Sequence, residues 1–96
     1  MDKNLSAHYE ELDQIAKETL HKFFIACKSY WIDNGGGKTC TLVKASQKEY
    51  GFEIPNGISI RGEGDDDNFN ALAYHKRSIH VFRINSEGSI VENLSL

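Results

Sequence analysis

Residues 5–31, LSAHYEELDQIAKETLHKFFIACKSYW, decide the fold of this chain, because their apolar side chains recur every three or four positions. On a helix such spacing forms a single stripe that faces a core. The sequence therefore predicts one long N-terminal helix, with Asn34 and the glycines after it as the stop signal. The predicted stripe consists of Leu5, Tyr9, Leu12, Ala16, Leu20, Phe23, Cys27 and Tyr30.

From about residue 38 onward the apolar spacing shortens to two, which is the period of a strand. Because the turns between these segments are short, neighbouring strands should run antiparallel. We therefore predict a single α+β domain over residues 1–96, with one long N-terminal helix packed on an antiparallel sheet of four or five strands. The predicted strands cover 38–44, 50–54, 58–61, 79–84 and 89–96.

The clearest local signal is Pro55-Asn56-Gly57, whose residue types suit a tight turn. It predicts a hairpin in which residues 50–54 pair with residues 58–61. Two other segments keep two interpretations each. Residues 28–33 either end the helix or already form a strand, and residues 68–76 form either a second short helix or another strand.

Composition limits the classes of function. The chain has 14 acidic and 11 basic residues and a net charge of −3, which argues against a general nucleic-acid binder. No apolar run approaches the roughly 20 residues of a membrane span, and no signal peptide is recognisable. Cys27 and Cys40 lack the short spacing of a metal site, so we expect two reduced cysteines in a cytoplasmic protein.

Motifs for cofactors and catalysis are incomplete. Gly35 to Thr39 imitates the end of a phosphate-binding loop, but Ile32 occupies the position where that loop needs another glycine. Asp65 to Asp67 begin no EF-hand loop, since the required glycine and glutamate are missing. No zinc-type spacing and no Gly-x-Ser-x-Gly occur. We therefore predict no cofactor, no metal ion and no catalytic residue.

An acidic cluster is the first candidate site. Clustered carboxylates steer association with a basic surface, so these residues predict a partner protein that carries one. Aromatic side chains next to such a cluster would act as anchors in the interface. The predicted partner-binding residues are Glu63, Asp65, Asp66 and Asp67, with Trp31 and Tyr74 as anchors.

A basic cluster is the alternative site. A histidine beside a cation can cleave RNA, with the imidazole as acid or base and the cation stabilising the oxyanion. The residues of this alternative nucleic-acid patch are His75, Lys76, Arg77, His80 and Arg83.

Of the two candidate sites we favour the acidic cluster, so we predict a small acidic protein-binding module without catalysis. Immunity proteins, antitoxins and inhibitors from phages or other mobile elements share this size and charge, although the comparison is by class only. Because one helix can cover only one side of the sheet, a homodimer that pairs through the other side is also possible.

Overall fold

The computed structural model describes the backbone of residues 2–93 and the side chains of residues 9–93. Over residues 2–93 it contains one long helix, one short helix and four antiparallel strands, which follow one another in the sheet in chain order. The predicted α+β class is confirmed. The elements are α1 (Asp2–Asn34), α2 (Leu42–Ala45), β1 (Ile58–Glu63), β2 (Asn70–His75), β3 (Val81–Asn85) and β4 (Ile90–Asn93).

The long helix α1 runs without interruption through residues 28–33, so the helical interpretation of this segment is confirmed and the strand is wrong. Gly35 ends the helix, because its φ of +112° is costly for any other residue and its N–H donates to the Trp31 carbonyl at 2.7 Å. The predicted stripe is buried from Leu12 to Tyr30 and half-buried at Tyr9, whereas the side chain of Leu5 lies outside the described residues.

The core lies between α1 and one face of the sheet. Phe23 is fully buried at its centre, with ring centroids 5.2 Å from Phe52 and 5.1 Å from Phe69. Alternate strand residues point toward the helix, as the period of two requires. Those that are buried in this way are Ile58, Ala71, Ala73, Phe82 and Ile84. The other face of the sheet carries Arg61, Leu72, Tyr74, Arg83 and Val91, and we call it the open face.

The strand predicted at 38–44 is wrong. Only Cys40 makes a bridge, to Gly64, and the chain then turns into the short helix α2. Thr41 caps this helix, since its hydroxyl accepts the N–H of Lys44 at 3.2 Å. Within this helix Ala45 is buried and Val43 is exposed.

The predicted hairpin is also wrong. A turn forms, in which the N–H of Ile58 donates to the carbonyl of Pro55 at 3.2 Å, but residues 50–54 make no strand. Phe52 is drawn into the core instead, and its N–H donates to the carbonyl of Ala45 at 3.0 Å. The strand β1 pairs with β2, so burial of one aromatic ring outweighs the turn signal.

Residues 68–76 contain β2, so the strand alternative is confirmed and the short helix at that place is wrong. Ala71 and Ala73 are small side chains of this strand that are buried on the face covered by α1. The strand predicted at 79–84 begins later, at Val81, because Ile79 is exposed. It does lie inside the sheet, between β2 and β4.

A disulfide joins Cys27 of α1 to Cys40, with the Cα atoms 5.7 Å apart and both residues fully buried. The prediction of two reduced cysteines is therefore wrong. Cys27 belongs to the buried stripe, and the glycine turn after α1 brings the chain back against the helix at Cys40. The predicted cytoplasmic location loses the support that reduced cysteines gave it.

Candidate functional site

The segment 64–69 joins β1 to β2 and carries three of the predicted acidic residues; we call it the acidic loop. Asp65 organises it, because one carboxylate oxygen accepts the N–H groups of Asp67 and Asn68, both at 2.9 Å. The side chain of Asn68 accepts the N–H of Asp65 in return, at 2.8 Å. Such side-chain to backbone bonds fix a turn without help from a sheet.

The acidic loop is also attached to the rest of the molecule. The N–H of Asp66 donates to the carbonyl of Gly36 at 2.9 Å, and Gly64 and Cys40 exchange two backbone hydrogen bonds of 2.8 and 3.2 Å. Phe69 ends the loop inside the core, where its exposed fraction is 1%. The loop is therefore held against the connection between α1 and α2, which the disulfide ties to the helix.

The carboxylates of the acidic loop are available to a partner. Asp66 and Asp67 are exposed and so is Glu63 at the end of β1, while Asp65 is half-buried. Within residues 9–93 the ion pair of the structure lies elsewhere, between His80 and Asp13, so these carboxylates have no cationic partner within 4.0 Å. Oxygens of the three aspartates lie within 4.8 Å of one another. Within this group the backbone hydrogen bonds fix the position of the Asp65 carboxylate.

The two predicted anchors do not stand beside the acidic loop as exposed rings. Trp31 is only 6% exposed, and its indole N–H donates to the carbonyl of Lys38 at 2.9 Å. The Trp31 ring packs edge-to-face against Phe69, the buried residue at the end of the acidic loop. Tyr74 lies on the open face opposite Ser59, about 13 Å along the strand from Glu63. Trp31 is therefore a buried residue beneath the acidic loop, and Tyr74 belongs to a separate part of the surface.

The open face has charge as well as apolar surface. Arg61, Leu72, Arg83 and Val91 stand opposite one another across all four strands. The guanidinium of Arg83 donates to the side-chain oxygen of Asn70. Arg61 and Val91 are exposed, and Leu72 is half-buried. Cationic and apolar side chains therefore alternate across the open face, with the acidic loop at one end of the sheet.

The residues of the basic cluster are divided among different surroundings. His75 is buried on the helix side, where its Nδ1 accepts the N–H of Arg77 at 3.0 Å. Lys76 and Arg77 are exposed in the turn after β2, His80 contacts α1, and Arg83 lies on the open face. The structure therefore does not bring the five residues of the alternative patch together.

Sequence reasoning missed a buried polar network around Asp13. One carboxylate oxygen accepts the hydroxyl of Ser78 at 2.6 Å, and the other lies 2.6 Å from Nδ1 of His80. Since a carboxylate only accepts, Nδ1 of His80 is the donor. The hydroxyl of Ser78 also accepts the N–H of His80 at 3.2 Å.

This network is built for cohesion and not for nucleophilic catalysis. A catalytic triad places the histidine between serine and acid, so that the imidazole can take the hydroxyl proton. Here the carboxylate of Asp13 lies between Ser78 and His80, so the serine proton points at the acid. The network fastens α1 to the connection between β2 and β3. Its sequence signal was weak, because Asp13 and Ser78 are 65 positions apart.

A groove of about 540 Å³ runs between α1 and the segment 50–55, with Ile25 and Ile54 among its walls. Tyr50 closes one end, where its hydroxyl donates to Asp33 at 2.9 Å and accepts from the amide of Asn34 at 3.2 Å. Desolvation and the bond to Asp33 raise the pKa of the Tyr50 hydroxyl above its ordinary value. The hydroxyl therefore remains a neutral donor at physiological pH.

No family model, curated protein sequence or solved structure matches this chain. Across the described residues, none of the helices combines the length and the apolar character that crossing a bilayer requires.

Proposed function

We propose that this chain is a small non-catalytic protein-binding module, an inhibitor of the immunity-protein or antitoxin kind, that blocks a partner with a basic surface. One observation carries the proposal. The acidic loop is held by its own hydrogen bonds and by the connection between α1 and α2, and yet the carboxylates of Asp66 and Asp67 stay exposed and unpaired within the described residues.

A loop that is already ordered favours binding, because association then costs little conformational entropy. Its charge acts at a distance as well, since a patch of one sign raises the rate at which a complementary surface arrives. Both effects belong to recognition and neither requires chemistry at the site. They fit an inhibitor, which only has to reach its target and stay on it.

The charge pattern around the acidic loop favours a protein over a nucleic acid. Arg61 and Arg83 alone could contact phosphates, but Glu63 at the end of β1 and the loop next to it would repel the same backbone. Protein interfaces accept both signs of charge among apolar side chains such as Leu72 and Val91. A partner protein can therefore extend from the acidic loop onto the open face.

The compartment is a separate part of the proposal. A cytoplasmic inhibitor would share the location of most antitoxins and immunity proteins as a class. The buried disulfide weighs against that location, because disulfides persist mainly in oxidising compartments.

Charge reversal of the acidic loop tests the proposed function. The double variant Asp66→Lys/Asp67→Lys changes the exposed carboxylates and keeps Asp65, whose side chain holds the loop together. The matched control is Glu49→Lys/Glu87→Lys, which makes the same change in net charge at exposed positions elsewhere. Both variants and the parent are used as bait in affinity capture from the source cell, with quantitative mass spectrometry.

We expect one protein partner to be lost about tenfold or more with the loop variant and to be retained with the control, since several charge contacts reverse at once. The isolated partner should also associate more slowly as salt is added. If the loop variant and the control capture the same proteins in the same amounts, the proposed function is wrong.

A further inference from the structure

The helix α1 carries a second stripe, on the side opposite its buried one. Its members alternate spacings of four and three residues, which is the heptad pattern of a helix seam in a coiled coil. All are exposed, and the isoleucines are exposed by 37%, 47% and 82% in chain order. This outer stripe consists of Glu11, Ile15, Glu18, Lys22, Ile25, Ser29 and Ile32.

The outer stripe is complementary to itself when a second copy runs antiparallel. A two-fold axis level with Leu20 sets Ile15 opposite Ile25 of the second copy, and Glu18 opposite Lys22 of the second copy. Each match occurs twice by symmetry, so four isoleucines and two pairs of opposite charge would meet. Within one chain Glu18 and Lys22 form no ion pair, although they are one helical turn apart in the described part of α1.

The groove beside α1 adds a receiving site for one of these side chains. It is bounded by Ile25 on the helix and by Ile54 on the segment 50–55, and both are 47% exposed. In the antiparallel arrangement Ile15 of the second copy arrives at the level of Ile25, on the flank where the groove lies. An apolar side chain that fills a groove between two elements is the knob-and-hole contact of packed helices.

We propose that two copies of this chain associate through their outer stripes, with the α1 helices antiparallel and Ile15 of each copy seated between Ile25 and Ile54 of the other. The open face is a poorer choice for self-association, because it would bring Arg61 and Arg83 of two copies together, and like charges in contact oppose binding. The seam from Glu11 to Ile32 is about 30 Å long and only one helix wide. Because interfaces of small area are weak, we expect a reversible dimer.

A charge swap tests the arrangement in the full chain. Glu18→Lys alone and Lys22→Glu alone each place like charges across both symmetric contacts. The double variant Glu18→Lys/Lys22→Glu restores opposite charges in the reversed order. Sedimentation equilibrium over a series of protein concentrations gives the dissociation constant of each. We expect each single variant to weaken the dimer about tenfold and the double variant to recover the parent value.

The isoleucines supply the second measurement and its control. Ile25→Ser should abolish the dimer. Ile79→Ser removes an isoleucine that is 54% exposed in the connection between β2 and β3, outside the outer stripe, and should leave the dimer intact. Circular dichroism establishes that each variant is folded. A parent chain that stays monomeric at every concentration overturns the proposal. A double variant that dimerises no more tightly than the two single variants overturns it as well. None of these variants touches the acidic loop, so a failure here leaves the proposed function standing.

Discussion

Asp13 shows how much one buried carboxylate can hold together. The residue is 8% exposed. Its carboxylate bonds to Ser78 and His80, which are far from it in the sequence, in the connection between β2 and β3. A buried acid of this kind must be fully partnered, because an unpaired one would lose its hydration without compensation. All buried side-chain polar atoms of the described residues have a hydrogen-bond partner, and Asp13 is the acceptor for Ser78 and His80.

We predict that Asp13→Ala destabilises the protein by about 2–3 kcal/mol, because the buried hydroxyl of Ser78 is then left without an acceptor and the half-buried His80 loses its partner. The free energy of unfolding is measured by urea titration. Gln14→Ala is the matched control, because Gln14 is next to Asp13 in the sequence but is exposed. Its free energy of unfolding should stay within about 0.5 kcal/mol of the parent value. Equal losses in the two variants would mean that the network contributes nothing specific.

At the same scale, single residues mark where sequence reasoning stops. The partners of Asp13 lie 65 and 67 positions along the chain, and no local pattern reports a contact of that range. Trp31 seemed able to face a partner, but its indole N–H finds the carbonyl of Lys38 after the glycine turn, and its ring is buried as a result. In both cases the deciding contact is tertiary.

Among the elements, local period predicted α1 well, because burial of its stripe and the helix stop at Gly35 depend on neighbouring residues. The same method failed for segment 50–57, where the turn at Pro55 exists and the hairpin does not. A turn fixes only the direction of a few residues. Which strands pair depends on what the whole core can bury, and Phe52 is buried in the core, where its ring is stacked on Phe23.

We predict that Phe52→Ala costs about 3–5 kcal/mol of stability, because it removes a ring that is stacked on Phe23 and 4% exposed. Ile54→Ala should cost less than about 1 kcal/mol, since that side chain is half in water. In the hairpin that the sequence predicted, these two residues share one face and would be of similar importance. Thermal or urea unfolding of both variants separates the two structures, and similar losses would favour the hairpin.

Over the whole molecule, the sheet separates two kinds of surface. One face is dry and covered by α1, and the other mixes arginines with apolar residues, with acid at one end. The candidate site could be predicted only in part. The run of aspartates was evident in the sequence, but its rigidity comes from Gly36 and Cys40, which reach it from another part of the chain. The disulfide behind Cys40 therefore links the stability of the fold to the order of the loop.

We predict that this link can be measured through the disulfide. The bridge closes a loop with a sequence separation of 13, so its removal should cost about 3 kcal/mol. For a chain of this size that lowers the melting temperature by roughly 12 to 24 °C. The experiment compares the parent with and without reductant by calorimetry, alongside Cys27→Ala/Cys40→Ala, which should melt at the lower temperature in both conditions.

Hydrogen exchange at Gly64 and Asp66 should also accelerate on reduction, because their N–H groups bond to the connection that the bridge holds. A parent whose melting temperature ignores the reductant would show that the two cysteines do not act as a bridge in solution.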